Sequence, residues 1–191
     1  MDHDNADHLD GSVIASGTQD KQWTRLVNYV GIVQQAVRDV SAWAERGIAP
    51  PSSTRYSVED GQVKLPADAA TRRGVQPVVG LTADGEDAAN GNAGTIQIRA
   101  GQSVTLLGTA TMPPDAGSVV AAQWSATGTG DFAPAVLAPG GASQWTTSTT
   151  VRYEQPGTYY PVLRVSTQRE ANASDPFTHV DNLARVRVVV E

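Results

Sequence analysis

The sequence is most informative at residues 152–165, which read RYEQPGTYYPVLRV. Pro156-Gly157 is a turn dipeptide, because proline presets φ and glycine accepts φ values that are closed to other residues. Beyond the turn, Leu163 and Val165 recur at every second position, which is the period of a strand with one buried face. The stretch therefore predicts a turn followed by a strand.

Working outward from it, a period of two recurs from about residue 75 to the end of the chain. Turn signals separate the apolar runs, and the 18 glycines and 11 prolines also favour short strands joined by tight turns. About seven such strands are typical of a β-sandwich. No fixed repeat is present, which excludes solenoids and propellers. The predicted strands cover residues 75–81, 95–99, 103–110, 119–125, 144–153, 159–166 and 184–190.

Residues 152–165 resemble the signature of PKD domains, which are immunoglobulin-like sandwiches. Residues 119–124, VVAAQW, and 128–132, GTGDF, are similar to the strand of that family that carries a core tryptophan and to its following turn. The resemblance implies that Trp124 is buried and that Tyr159 forms a tyrosine corner. Residues 125–128, SATG, replace the family's acidic turn, so no calcium site is carried over. Pro161 replaces an inward valine and predicts an edge or a bulge.

Residues 21–46 have a different period. Their apolar residues recur at steps of three and four, as on one face of an α-helix. Gly47 suits a left-handed cap and Pro50-Pro51 cannot continue a helix, so we predict that the helix ends near Arg46, with Thr18 or Asp20 as the N-cap. The apolar stripe comprises Trp23, Leu26, Val30, Val33, Val37, Val40 and Ala44.

The predicted fold class is therefore mainly β: an immunoglobulin-like, PKD-type sandwich of about seven strands, preceded by one long amphipathic α-helix. Residues 1–66 comprise an acidic loop, the helix of about 21–46 and a proline-rich connector with one short strand around 62–65. Residues 67–191 form the sandwich. The segment 83–94, rich in Asp, Asn and Gly, is predicted to be a loop.

A second resemblance concerns residues 1–66. The helix and its tail WAERGIAPP, residues 43–51, are similar to the last helix of bacterial α/β-hydrolases of the tannase and feruloyl-esterase kind. That resemblance implies a catalytic histidine before the helix, for which His8 is the weak candidate and His3 the second choice. The chain contains no Gly-x-Ser-x-Gly elbow, so the serine nucleophile of such an enzyme is absent from it.

Other polar groups have simpler interpretations. The acidic and histidine residues at positions 2–10 have no recognisable metal-site spacing, so we predict no metal site and no cofactor. His179, Asp181 and Asp175 are predicted to lie in a solvent-exposed loop, and the glycosylation triplet at 172–174 is taken as a chance match. Trp23 and Trp43, at helical spacing, are predicted to be packing residues.

The composition limits the partners. A net charge of -6 and the absence of a basic stripe argue against nucleic acid. The absence of cysteine excludes disulfides and thiolate sites. No apolar run approaches the roughly 18 residues of a membrane span, and the acidic start is unlike a signal peptide. The resemblance to PKD domains nevertheless implies an extracellular or periplasmic location within a larger bacterial protein.

Two functional hypotheses follow. In the first, the chain is a non-catalytic binding or spacer module for an unknown protein or polysaccharide partner. In the second, it is the C-terminal fragment of an α/β-hydrolase, and the activity belongs to the longer parent protein. The wide apolar face of the helix also needs a cover, which is either the outside of the sandwich or a second copy. We predict self-association through the helix 21–46.

Overall fold

The computed structural model describes residues 27–84, 94–134, 136–170, 174 and 178–191. Within these ranges the chain is mainly β, with one long helix before the sheets, as predicted. The elements in chain order are α1 (Val30–Arg46), β1 (Ser57–Glu59), β2 (Gln62–Lys64), α2 (Ala69–Arg72), β3 (Val78–Ala83), β4 (Thr95–Ile98), β5 (Ser103–Thr111), β6 (Ser118–Ser125), β7 (Val136–Ala142), β8 (Gln144–Arg152), β9 (Gly157–Tyr159), β10 (Val162–Gln168), β11 (Val180–Arg185) and β12 (Arg187–Val190).

The strands form an immunoglobulin-like β-sandwich. One layer contains the sheet β3-β5-β8, and the other contains β11-β10-β6-β7 together with β4-β12-β9. The pairs are antiparallel except β12 with β4, which is parallel. The strands β1 and β2 form a separate hairpin. Its turn places Asp60 and Gly61 at φ values of 53° and 74°, the left-handed values that a two-residue hairpin turn requires.

Two chain segments, β9–β10 and β11–β12, pass from one sheet into the neighbouring sheet, and their breaks lie next to each other. The segment predicted as one strand over 159–166 is broken at Tyr160-Pro161 into β9 and β10, so that prediction was wrong in its continuity. At Pro161, where the sequence predicted an edge or a bulge, the structure has a break between two strands instead, because proline has no N–H for a ladder. The segment predicted over 184–190 is likewise broken at Val186, whose N–H donates to the Pro161 carbonyl at 3.3 Å.

The core lies between the two layers. Trp124, Leu163 and Val165 are 7%, 0% and 1% exposed, which confirms the prediction that they are buried. Tyr159, also predicted to be largely buried, is only half-buried. It nevertheless forms the predicted tyrosine corner, since its hydroxyl donates to the Gln155 carbonyl at 3.0 Å. The fully buried tyrosine of this region is Tyr153.

The helix ends where predicted but begins later. α1 stops at Arg46, and Gly47 takes a φ of 69° while its N–H donates to the Trp43 carbonyl. Residues 27–29 are not helical, although the apolar pattern predicted a helix from residue 21. The Asn28 side chain instead accepts a hydrogen bond from the Val30 N–H at 3.0 Å, which favours a start at that point. Residues 21–26, the N-cap candidates Thr18 and Asp20, and most of the predicted loop 83–94 lie outside the described residues.

Tyr153 gives the sandwich a testable response to alkaline pH. Burial, with a smaller contribution from Tyr159, raises the pKa of Tyr153 to about 12. An unfolded tyrosine ionises near pH 10, so the folded chain holds this proton more tightly. The resulting stabilisation is fully present below about pH 10 and is lost as the pH rises towards 12.

We therefore expect the free energy of unfolding, measured by urea denaturation, to fall over this window. Tyr153→Phe should lower the free energy of unfolding by a constant amount, because the variant loses the hydrogen bond to the Ala126 carbonyl. It should also make the fall with pH shallower. The matched control is Tyr56→Phe, at a side chain that is 66% exposed, which should keep the wild-type slope. Equal slopes in all three proteins would contradict the prediction.

Candidate functional site

The helix α1 contacts the sandwich through its polar face. Gln35 and Asp39 are 6% and 9% exposed, and the Gln35 amide donates to the Asp39 carboxylate at 2.9 Å. Arg169, which follows β10, places its Nη2 3.0 Å from the same carboxylate. Both charged side chains are mostly shielded from water, so this ion pair fixes one orientation of the helix. Arg38 also donates to the Gln35 side-chain oxygen, so four polar side chains are linked on this face.

Two further residues anchor the same face. Val27, immediately before the helix, is 1% exposed and packs with Val162 and Leu183. Val162 lies on the sheet face opposite Leu163, because neighbouring strand residues point to opposite faces, so α1 covers the outside of the sandwich. At Gly31 the backbone comes so close to β11 that a Cβ there would overlap the His179 carbonyl oxygen.

The apolar stripe of the helix faces solvent. Val30, Val33, Val37 and Val40 are 46%, 52%, 64% and 59% exposed. We call these four residues and Ala44 the valine seam. Their positions follow steps of three, four, three and four, the spacing of positions a and d in a heptad repeat. The sequence predicted that either the outside of the sandwich or a second helix covers this stripe. The sandwich does not, because it covers the opposite face of the helix.

The borders of the valine seam are uncharged. Gln34 and Ser41 lie on one side, and Tyr29, Ala36 and Trp43 lie on the other. Trp43 is 59% exposed, so its interpretation as a packing residue was wrong for the single chain. Of the charged residues of α1, Arg38, Asp39 and Arg46 lie away from the seam, and the Glu45 carboxylate accepts a hydrogen bond from the hydroxyl of the border residue Ser41.

The β1–β2 hairpin carries a second exposed apolar face. Val58 and Val63 face each other across the two strands, and they are 62% and 64% exposed. Tyr56 and Leu65 extend this pair at 66% and 49% exposure. A two-stranded hairpin with one apolar face is marginally stable in water, so this face also favours a covering surface.

Some predicted site residues lie elsewhere in the structure than the sequence predicted. His179 and Asp181 are half-buried beside the docked helix, and Asp181 lies on β11, so the prediction that they occupy a solvated loop was wrong. The catalytic candidates His8 and His3 lie outside the described residues. So do Trp23, the acidic cluster of residues 2–10, and positions 172, 173 and 175.

Sequence reasoning missed the docked face. A stripe at steps of four, formed by Val27, Gly31, Gln35 and Asp39, lies on the side opposite the apolar one. A glycine inside a helix weakens it, and such a residue signals a close approach of backbones. Gly31 was therefore the available signal. No feature near Asp39 in the sequence points to Arg169, because the two residues are 130 positions apart.

In the part of the chain that the structure describes, no three histidine, aspartate or glutamate side chains are grouped so that they could share a metal ion. None of its helices is long and apolar enough to cross a membrane.

No protein-family model and no curated protein matches the chain. One similar solved structure is the solution NMR structure of the CARDB domain of a protein from Pyrococcus furiosus. It has 14% sequence identity and a TM-score of 0.36, with 60% of this chain and 94% of that chain covered. The crystal structure of that domain in complex with di-metal ions has 14% identity and a TM-score of 0.34, with 60% and 93% covered.

Proposed function

We propose that this chain is a non-catalytic binding module whose sandwich holds α1 and displays the valine seam to a protein partner. One observation carries the proposal: the helix is docked by its polar face and turns its apolar face to water. The largest exposed apolar patch on a monomer usually measures about 300 to 600 Å² and is often an interaction site. The seam and Trp43 together leave a patch on the order of 500 Å².

The docked contacts explain why the helix does not turn over to bury its valines. Rotation about its axis would turn Asp39 to solvent and leave Arg169 without its carboxylate partner in a largely shielded place. Such a loss is costly, because a buried charge without its partner keeps the full cost of its desolvation. It would also drive side chains into the close approach at Gly31. The sandwich therefore fixes which face of the helix remains available.

The energetics favour a protein over a polysaccharide partner. Burial of a valine side chain contributes about 1.5 to 3 kcal/mol, so a partner that covers four half-exposed valines gains on the order of 4 kcal/mol before the entropy of association. The seam itself offers no hydrogen-bonding side chain with which to recognise sugar hydroxyls. Apolar side chains of a second protein match this chemistry.

The type of module and its location are assigned from the sequence. Residues 152–165 support a PKD-type module, and modules of that type accompany secreted bacterial hydrolases, so we place the chain in the extracellular or periplasmic part of a larger protein. The uncovered seam also favours a second candidate function. As the last helix of an α/β-hydrolase, α1 would cover the central sheet of a domain in the parent protein. In either case we expect no ester hydrolysis by this chain alone, and an upstream Gly-x-Ser-x-Gly elbow in the gene would favour the second.

Site-specific photo-crosslinking tests the binding function. We expect a photoreactive residue at position 37, at the centre of the seam, to give a discrete adduct with a protein in the organism that makes the chain. The matched control is position 137 on β7, since Leu137 is an equally exposed apolar residue at 66% against 64% for Val37. A discrete adduct from position 37 alone supports the proposal. No adduct from position 37, or equal labelling from both positions, would overturn it.

A further inference from the structure

We infer that the partner of the valine seam is a second copy of this chain, paired helix to helix about a two-fold axis. The inference rests on the proposed function, since it names the occupant of the same surface. A two-fold interface uses one patch on both subunits, so the seam must be complementary to itself. Three properties of α1 meet that requirement: its spacing, its charge pattern and its area.

The spacing is that of a helix pair. Positions 30, 33, 37, 40 and 44 keep the alternation of three and four without interruption over the helix. This alternation keeps an apolar edge directed at a partner helix that crosses at a small angle, with each side chain inserted between four of its neighbours. A groove of irregular shape on another protein does not require it. The 17 residues of α1 extend over about 25 Å, which is long enough for two heptads of contact.

The charge pattern removes the usual obstacle to pairing identical chains. Two copies of a chain with a net charge of -6 repel each other at long range. In α1, however, Arg38 and Glu45 fall at heptad position b, and Asp39 and Arg46 fall at position c. In a helix pair these positions lie away from the partner. Asp39 faces the sandwich, whereas Glu45 and Arg46 are exposed to solvent. The flanking positions e and g hold Gln, Ser, Tyr, Ala and Trp, so no like charges oppose each other at the interface.

The available area sets the expected strength. A standard stable interface buries about 800 Å² per partner, whereas the seam and Trp43 provide on the order of 500 Å². The pair should therefore be weak and should depend on protein concentration. The apolar face of the hairpin, defined by Tyr56, Val58, Val63 and Leu65, is a further surface that could add to the contact.

Analytical ultracentrifugation tests the pairing. Over a hundredfold dilution that begins near 1 mM, we expect the average mass of the wild-type chain to fall from near that of two chains towards one. Val33→Glu with Val37→Glu should sediment as a single chain throughout. Glutamate has a higher helix propensity than valine, so the loss of pairing would not reflect a weaker helix. The control, Leu107→Glu with Leu137→Glu, adds the same two charges at exposed strand residues and should behave as wild type.

Single cysteines provide a second measurement. The chain has no cysteine, so one placed in the seam can form a disulfide only with another copy. A disulfide requires Cα atoms within about 7 Å. We expect rapid oxidation to a dimer from at least one of positions 30, 33, 37, 40 and 44, and slow oxidation from position 137. Cross-linking at 30, 37 and 44 alike would indicate parallel helices, and cross-linking confined to one central position would indicate antiparallel helices.

The outcomes separate the inference from the function on which it rests. A monomeric wild-type chain at every concentration, or a seam variant that still pairs, overturns the second copy as the occupant. Loss of pairing in the Leu107 and Leu137 control also overturns it, because the added charge and not the seam would then be responsible. If the wild type is monomeric but position 37 cross-links to another protein, the inference fails and the binding function stands. If position 37 cross-links to nothing, both fail.

Discussion

Replacing Trp124 with alanine is expected to lower the free energy of unfolding by about 3 to 5 kcal/mol, the range for deletion of a core aromatic side chain. Trp124 is 7% exposed on β6, where it lies opposite Leu163 of β10. A Cβ added at Gly108 on β5 would lie 3.1 Å from the far edge of its ring, so the indole spans the space between the two layers. Alanine would leave a cavity that both layers line.

Chemical denaturation, followed by circular dichroism at a concentration where the chain is monomeric, measures this loss. The matched control is Trp43→Ala, because it makes the same change at a side chain that is 59% exposed. We expect the control to cost less than about 1 kcal/mol, as substitutions at exposed positions usually do. A loss below about 1 kcal/mol for Trp124→Ala would show that the ring does not support the core.

The strands were largely predictable because each carries its own signal. Alternation of apolar residues located the strands that became β5, β6 and β8 to within one residue at each end. β7 was missed because Pro139, Gly140 and Gly141 interrupt any alternation, and its pairing comes from β6. Pro161 signalled a departure from a regular strand, but the change of sheet at Pro161 and Val186 was beyond local reasoning, because it depends on which strands lie alongside and not on the residues of one strand.

The candidate site was predictable in its residues but not in its orientation. The three- and four-residue steps identified the valine seam correctly as one apolar face. They also suggested that the face would be covered, since apolar stripes of surface helices usually turn to the core. In this chain the long-range pair of Asp39 with Arg169 and the close approach at Gly31 select the opposite face. Gly31 was the one local signal of a close approach, and the Asp39–Arg169 pair has none, so the exposed seam emerged only from the tertiary structure.

Gly31→Ala is expected to detach the helix from the sandwich. In isolation this substitution favours a helix by about 1 kcal/mol, so any loss of helix must come from the tertiary contact. The added methyl group would overlap the His179 carbonyl oxygen, which is part of the backbone before β11 and cannot turn aside as a side chain can. Relief of the overlap requires α1 to move away, which also exposes Val27 and separates Asp39 from Arg169.

A 17-residue helix without tertiary contacts is marginal in water, and the valines of α1 weaken it further. We therefore expect Gly31→Ala to remove hydrogen-exchange protection from α1 while the amides of β5, β6 and β10 keep theirs. Gly140→Ala is the matched control, because an added Cβ there meets no atom within 4 Å, and it should leave both regions unchanged. Undiminished protection of α1 in Gly31→Ala would show that the helix does not lie against β11. The same variant, measured again near 1 mM, separates docking of α1 on the sandwich from pairing of two seams. If protection of α1 returns at the higher concentration, the seam pairs even when the helix is not docked on the sandwich.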